Sequence, residues 1–155
     1  MIDIVSKAAR SRMMSNIKGK NTAPEILIRC GLHRRGFRYR LHEKKLPGKP
    51  DLVFPKYKAV IQVHGCFWHK HDCHLFKWPS TRKRFWKEKI CSNARRDTRN
   101  FMKLNQLGWR TLIVWECALK GRYRYTEVEV IDRIALWLYS DQSSFEIACS
   151  SAGLK

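Results

Sequence analysis

Between Ala59 and Cys73 the chain changes character within a few residues, and this stretch limits what the rest can build. Ala59-Val60-Ile61-Gln62-Val63 is an apolar run of strand type, broken by Gly65. Beyond that glycine, Cys66, Phe67, Trp68, His69, His71 and Cys73 crowd together. A strand bound for the core therefore ends in a group of metal-ligating and proton-transferring side chains.

Cys66, His71 and Cys73 offer sulfur and imidazole ligands at the spacing C-x4-H-x-C, which one turn can wrap around a tetrahedral zinc. The fourth ligand is best sought at Cys117. It follows a second apolar run, Thr111-Leu112-Ile113-Val114-Trp115, and neighbouring parallel strands bring their ends together. The plainer alternative is three reduced cysteines and a surface histidine. A third arrangement, drawing on His69, His71 or His74 with one position open, would make the metal catalytic. Cys30, Cys91 and Cys149 read as lone thiols. His64 and His69 stay outside the zinc set, and His69, after two aromatics, is expected to be a partly wet imidazole able to take a proton near neutral pH.

Charge narrows the partner. The net charge of +19 calls for a polyanion, with nucleic acid the first choice and an anionic membrane surface the competitor. No long apolar span occurs, and Met1 to Asn21 lacks the apolar core of a signal peptide. A cytosolic or nucleoid location is expected, where cysteines serve metals more readily than disulfides. At 155 residues the chain is most simply one folded domain.

Residues 1–21 carry Lys7, Arg10, Arg12, Lys18 and Lys20 around Met13-Met14 and form a basic arm, either disordered or laid in a DNA groove with an apolar tip. Thr22-Ala23-Pro24-Glu25 has the form of a capping box opening a helix with Ile26, Leu27, Cys30 and Leu32 at helical spacing; capping alone accounts for Glu25. Gly36 closes that helix, and Phe37 to Leu41 alternates like a half-exposed strand. Pro50-Asp51 then enters an apolar strand, and a turn at Pro55 to Lys58 joins it to Ala59–Val63 in one hairpin. Asp51 is a plausible seat for Mg²⁺, which wants oxygen ligands, and equally an ordinary turn residue.

A helix is expected after Pro79 as far as Gly108, with Phe85, Ile90, Ala94, Phe101, Leu104 and Leu107 as its buried stripe; Asp97 stands among Arg95, Arg96 and Arg99, where a local ion pair is the bland account. Thr126 to Glu129 is a second capping box and opens a helix through Leu138. The folded body would span 22–140, and residues 141–155 read as a dispensable tail. The order of elements predicts an α/β sandwich with a short mixed sheet flanked by helices.

Pro50-Asp51 followed by a strand ending Gln62-Val63-His64 resembles the metal-binding hairpin of the PD-(D/E)xK, restriction-endonuclease-like superfamily. With His64-Gly65-Cys66-Phe67-Trp68-His69, the C-x4-H-x-C run and Trp115-Glu116-Cys117-Ala118-Leu119, the chain is similar to the very-short-patch repair (Vsr) endonuclease family from Arg10-Ser11 to about Leu138. The resemblance implies a bacterial, Mg²⁺-dependent enzyme that nicks DNA 5′ to the T of a T:G mismatch left by 5-methylcytosine deamination. It implies Asp51 and the backbone carbonyl of Val63 as Mg²⁺ ligands, His69 as general base, and His64 and Asp97 as supporting groups. Zinc would be structural, on Cys66, His71, Cys73 and Cys117. Phe67, Trp68 and Trp86 would intercalate beside the mismatch from the major groove, with Met14 wedging from the minor groove.

Val63 stands where the family leads one to expect threonine, a change a carbonyl ligand tolerates. The superfamily's acid-x-lysine is absent, Gln62-Val63-His64 standing in its place, so the base must come from elsewhere. Mismatched duplex DNA is the expected partner, with a monomer sufficient for one nick and accessory repair proteins left open. Two rivals are a restriction-type endonuclease cutting matched sites and a non-catalytic zinc-containing DNA-binding module.

Overall fold

The computed structural model describes residues 5–15 and 19–155. In chain order these form α1 (Lys7–Ser15), α2 (Ala23–Arg34), β1 (Arg40–Leu41), β2 (Leu52–Phe54), β3 (Ala59–His64), α3 (Lys83–Gln106), β4 (Arg110–Trp115), α4 (Glu127–Tyr139) and β5 (Ser144–Ile147). The strands make one mixed sheet in the order β1-β2-β3-β4-β5. β1 to β3 are antiparallel, joined by a loop over 42–51 and a turn over 55–58, whereas β3, β4 and β5 run parallel and need the crossovers that α3 and α4 provide.

Side-chain alternation sends the two faces of the sheet to different cores. Leu52, Phe54, Ala59, Ile61, Leu112 and Val114 meet Ile28 and Leu32 of α2 and Val130, Ile134 and Leu138 of α4. On the opposite face Val53 and Val60 pack with Leu104 of α3, while Ile113 and Trp115 join Cys66, Cys73, Cys117 and Cys149. β3 and β4 are thus covered on both sides, which is why each reads as a continuous apolar run. Gln62 and His64 fall on the α3 side of β3 by the same alternation.

Several expectations are corrected. Thr126 and Glu129 close a complete capping box on α4, but Thr22 makes no side-chain cap on α2. Glu25 turns inward instead, 2% exposed, and the buried face of α2 is Glu25, Ile28 and Leu32, with Ile26 and Cys30 outside. The strand expected from Phe37 shortens to β1, because Phe37 is drawn into an aromatic group with Phe54, Tyr57 and Tyr139. α3 starts at Lys83, and Phe85 and Leu107 at its ends are 42% and 56% exposed. A helix of 24 residues is about 36 Å long, well beyond the reach of the six-residue strands beneath it, so it enters the core at Ile90 and again at Leu104 while its first two turns stay outside.

Residues 141–155 are not a loose tail. They supply β5, in parallel register with β4 from Thr111↔Ser144 to Val114↔Ile147, and then bridge back so that Leu154 pairs with Cys73. Of the basic arm, residues 1–4 and 16–18 lie outside the described residues, and the part between carries α1, a helix with no buried residue.

Candidate active site and metal centre

The hairpin of β2 and β3 places Asp51 beside the end of β3, where the Val63 N–H donates to Asp51 Oδ2 at 2.8 Å. Burial raises the Asp51 carboxyl to about 6; the hydrogen bond from Val63 opposes this and the nearby Glu25 carboxylate adds to it. The turn leading to Asp51 needs its glycine. Gly48 has a φ of +74°, and a Cβ there would lie 3.1 Å from both the Gln62 amide and Asn100.

Opposite Asp51, α3 delivers Asp97. Its Oδ2 lies 2.6 Å from His69 Nδ1, and an ionised carboxylate only accepts, so Nδ1 carries the proton and Nε2 keeps its lone pair. The local-ion-pair account of Asp97 therefore gives way to a histidine partner. His64 stacks flat on His69, ring centroids 3.7 Å apart and planes within 7°. His64 donates through Nε2 to Gln62 Oε1 at 2.7 Å, and burial, aided by His69, lowers it to about 3, so it is neutral at physiological pH.

Asp51, Gln62, Val63, His64, His69 and Asp97 line one polar cleft of about 500 Å³, to which Lys49 and Arg96 add positive charge. Gln62 Nε2 and His64 Nδ1 are buried in its wall with no partner among the described residues. Unpaired polar atoms beside a carboxyl in a roomy cleft fit a hydrated cation and substrate oxygens.

Two neighbours of this cleft escaped the sequence reasoning. Glu25 and His42 approach Asp51 closely enough that the three side chains form a possible cation-binding group. Glu25 Oε1 is 2.5 Å from His42 Nε2, and its Oε2 accepts from the Asn21 N–H at 3.0 Å. The signal was hidden because the capping-box pattern already explained Glu25. His42 follows β1, whose pairing with β2 brings it back to Asp51, with a hydrogen bond from His42 N–H to the Asp51 carbonyl at 3.1 Å.

The thiol-bearing side chains come together in the structure. Ligand atoms of Cys66, His71, Cys73 and Cys117 all lie within 4.8 Å of one another. His71 Nδ1 sits 3.6 Å from Cys66 Sγ and 3.5 Å from Cys117 Sγ, close to the roughly 3.5 Å edge that a tetrahedron with zinc-type bond lengths requires. The Cys66 thiol beside it, and then burial, hold Cys117 up to about 12, so its thiolate forms here only with a cation to offset it. Cys149 is a free, buried cysteine beside the group, and its backbone N–H donates to Cys117 Sγ at 3.2 Å. His69 and His74 lie outside this thiol group, His74 against the Tyr123 ring and His69 with Asp97 and His64, which themselves lie close enough to form a separate possible cation-binding group. Trp115 links the two centres, stacking on His71 at 4.1 Å and meeting His64 edge-on at 5.3 Å.

Phe67, Trp68 and Trp86 form a mutual aromatic group with centroids 5.1 to 5.9 Å apart, each ring partly open to solvent. Trp68 is held through its carbonyl, which accepts from Asn93 of α3 at 3.1 Å. Met14 is exposed on α1, which buries nothing.

A histidine whose Nδ1 is held by a carboxylate, facing a second acid across a polar cleft on a strongly basic chain, is an arrangement suited to a hydrolase for phosphate esters. The family model for DNA mismatch endonuclease Vsr matches residues 2–75. The DNA mismatch endonuclease Vsr of Escherichia coli (strain K12) is 45% identical over 95% of this chain and 94% of its own length. The type II nicking enzymes V.NmeAIP of Neisseria meningitidis and V.XorIIP of Xanthomonas oryzae are 44% and 45% identical over 79% and 77% of the chain, covering 87% and 88% of those proteins. The chain belongs to the DNA mismatch endonuclease Vsr family.

Proposed function

We propose that this chain is a strand-specific DNA mismatch endonuclease that hydrolyses the phosphodiester 5′ to the T of a T:G pair arising from 5-methylcytosine deamination. The observation that carries the chemistry is His69, held by Asp97 with Nε2 free, in the cleft that contains Asp51. His69 Nε2 takes the proton of the attacking water, Asp97 stabilises the imidazolium, and neutral His64 fixes the plane of the ring by stacking. Asp51 and the Val63 carbonyl would hold Mg²⁺, which when bound supplies charge neutralisation at the phosphate. Glu25 and His42 position Asp51 from behind.

Zinc on Cys66, His71, Cys73 and Cys117 serves structure, with no position left for water. Phe67, Trp68 and Trp86 wedge into the base stack, with Met14 of the arm, residues 1–21, entering from the opposite groove. A T:G wobble pair yields to such a wedge more cheaply than a matched pair, so selectivity follows from deformability. The sandwich of α2 and α4, the mixed sheet and α3 supports a restriction-endonuclease-like fold, and since one nick needs one active site the chain works as a monomer.

The deciding experiment is nicking of end-labelled duplexes with Mg²⁺, comparing T:G with T:A and C:G in several flanking contexts. One nick 5′ to the mismatched T, abolished in Asp51→Ala while mismatch binding persists, is expected. Cutting of matched sites would move the chain to the restriction class; binding with no metal-dependent turnover would leave a DNA-binding module.

A further inference from the structure

The aromatic group beside the cleft does not end at Phe67. Phe67 lies 6.3 Å from Phe76 in a near-parallel stack, and Phe76 meets Trp78 edge-on at 5.0 Å. Phe76 is a filler, 6% exposed, but Trp78 leaves 47% of its surface open. Trp78 is not on a loose loop: the Phe76 N–H bonds the Cys73 carbonyl at 3.1 Å, tying the segment to the thiol centre.

Trp78 walls a cleft of about 440 Å³ together with Phe76, Lys70, Lys77, Lys155 and Asp72. Lys155 Nζ donates to the Phe76 carbonyl at 2.6 Å, which seats one positive charge beside the rings. An open indole face with ammonium groups around it meets both needs of a nucleotide, a surface for the base and cations for the phosphate. An apolar peptide would cover the indole and leave the ammonium groups without anions. Nothing in the proposed chemistry or wedge uses this cleft.

We propose that Trp78, with Lys70 and Lys77, is a nucleotide-stacking site that holds one unstacked base of the bound DNA next to the wedge. Two ring contacts separate it from Phe67, so the base it takes lies no more than about three steps of 3.4 Å from the wedge. The site steadies the strand that the wedge disturbs. This rests on the DNA mismatch reading above.

The test places 2-aminopurine at successive positions on either side of a T:G pair and titrates each duplex with the wild-type chain, Trp78→Ala and Trp78→Phe. With the wild type, emission at one flanking position is expected to be quenched beyond what the wedge produces elsewhere. Trp78→Ala should restore that emission and weaken binding about 5- to 100-fold, Trp78→Phe should recover most of the affinity, and Lys77→Ala should reduce the salt slope by about one. Metal content and melting temperature of each variant are measured alongside, and Trp78→Phe and Lys77→Ala carry the test if Trp78→Ala does not fold. If the wild type nicks T:G duplexes while Trp78→Ala binds equally well and every quench persists, the stacking site is overturned. If the wild type neither binds nor nicks mismatched duplexes, the parent reading fails and the site falls with it.

Discussion

One proton on His69 decides what the cleft can do. Asp97 keeps it on Nδ1, and an amide at position 97 could donate to that nitrogen and turn the ring's tautomer over. Asp97→Asn is therefore expected to lower kcat by about 10²- to 10⁴-fold with little change in KM or melting temperature, read by single-turnover nicking. Asp51 gives a second, pH-dependent signature. Its folded carboxyl holds a proton up to about 6, above its unfolded value, so protonation stabilises the metal-free fold at low pH and that contribution is lost as pH rises through about 6. The loss should appear in metal-free protein as the difference between the pH-dependent melting curves of the wild type and Asp51→Asn, while nicking by the wild type should rise as the carboxylate ionises. His64, lowered to about 3 by burial, works in the opposite sense: below its ordinary value of 6.5 only the unfolded ring takes a proton, so its contribution to stability grows as pH rises from about 3 to 6.5, and the Asp51 share is read from the difference between wild type and Asp51→Asn.

At the scale of elements, the turn from Cys66 to Cys73 is legible in sequence because its ligands are close together and each needs a particular atom. Cys117 is legible because β3 and β4 are both apolar and run in parallel register from Ala59↔Arg110 to His64↔Trp115. β5 is not legible: Ser144-Phe145-Glu146-Ile147 alternates over only four residues, two of them exposed, and its pairing is set by β4 rather than by its own propensity. Glu25 was misread for the opposite reason, since a local rule fitted it before its tertiary contacts could be known. Two tests belong here. Cys73→Ser should lose bound metal and several kcal/mol of stability together, measured by metal analysis and denaturation, because metal affinity at such a site is folding energy. Removing residues 141–155 should uncover β4, take away the N–H that Cys149 gives to Cys117, and speed metal release to a chromogenic chelator.

For the whole molecule, a charge of +19 makes the encounter with DNA an ion-exchange reaction. The logarithm of the binding constant should fall with the logarithm of salt by about 0.9 for each phosphate neutralised, for mismatched and matched duplexes alike, while the ratio between them changes little. Charge supplies affinity and deformability supplies choice. Anisotropy titrations at several salt concentrations separate the two.

The return of Leu154 to Cys73 also fixes an order of events. The ligands from Cys66 to Cys117 leave the ribosome well before the segment that pairs with Cys73 and supports Cys117 from Cys149. A nascent chain can gather its metal early, but the centre stays open to exchange and to oxidation until Cys149 and Leu154 are in place. Translation that stalls after α4 would release a protein with every ligand present and the seal missing, a species that quality control could recognise by its exposed β4 edge alone.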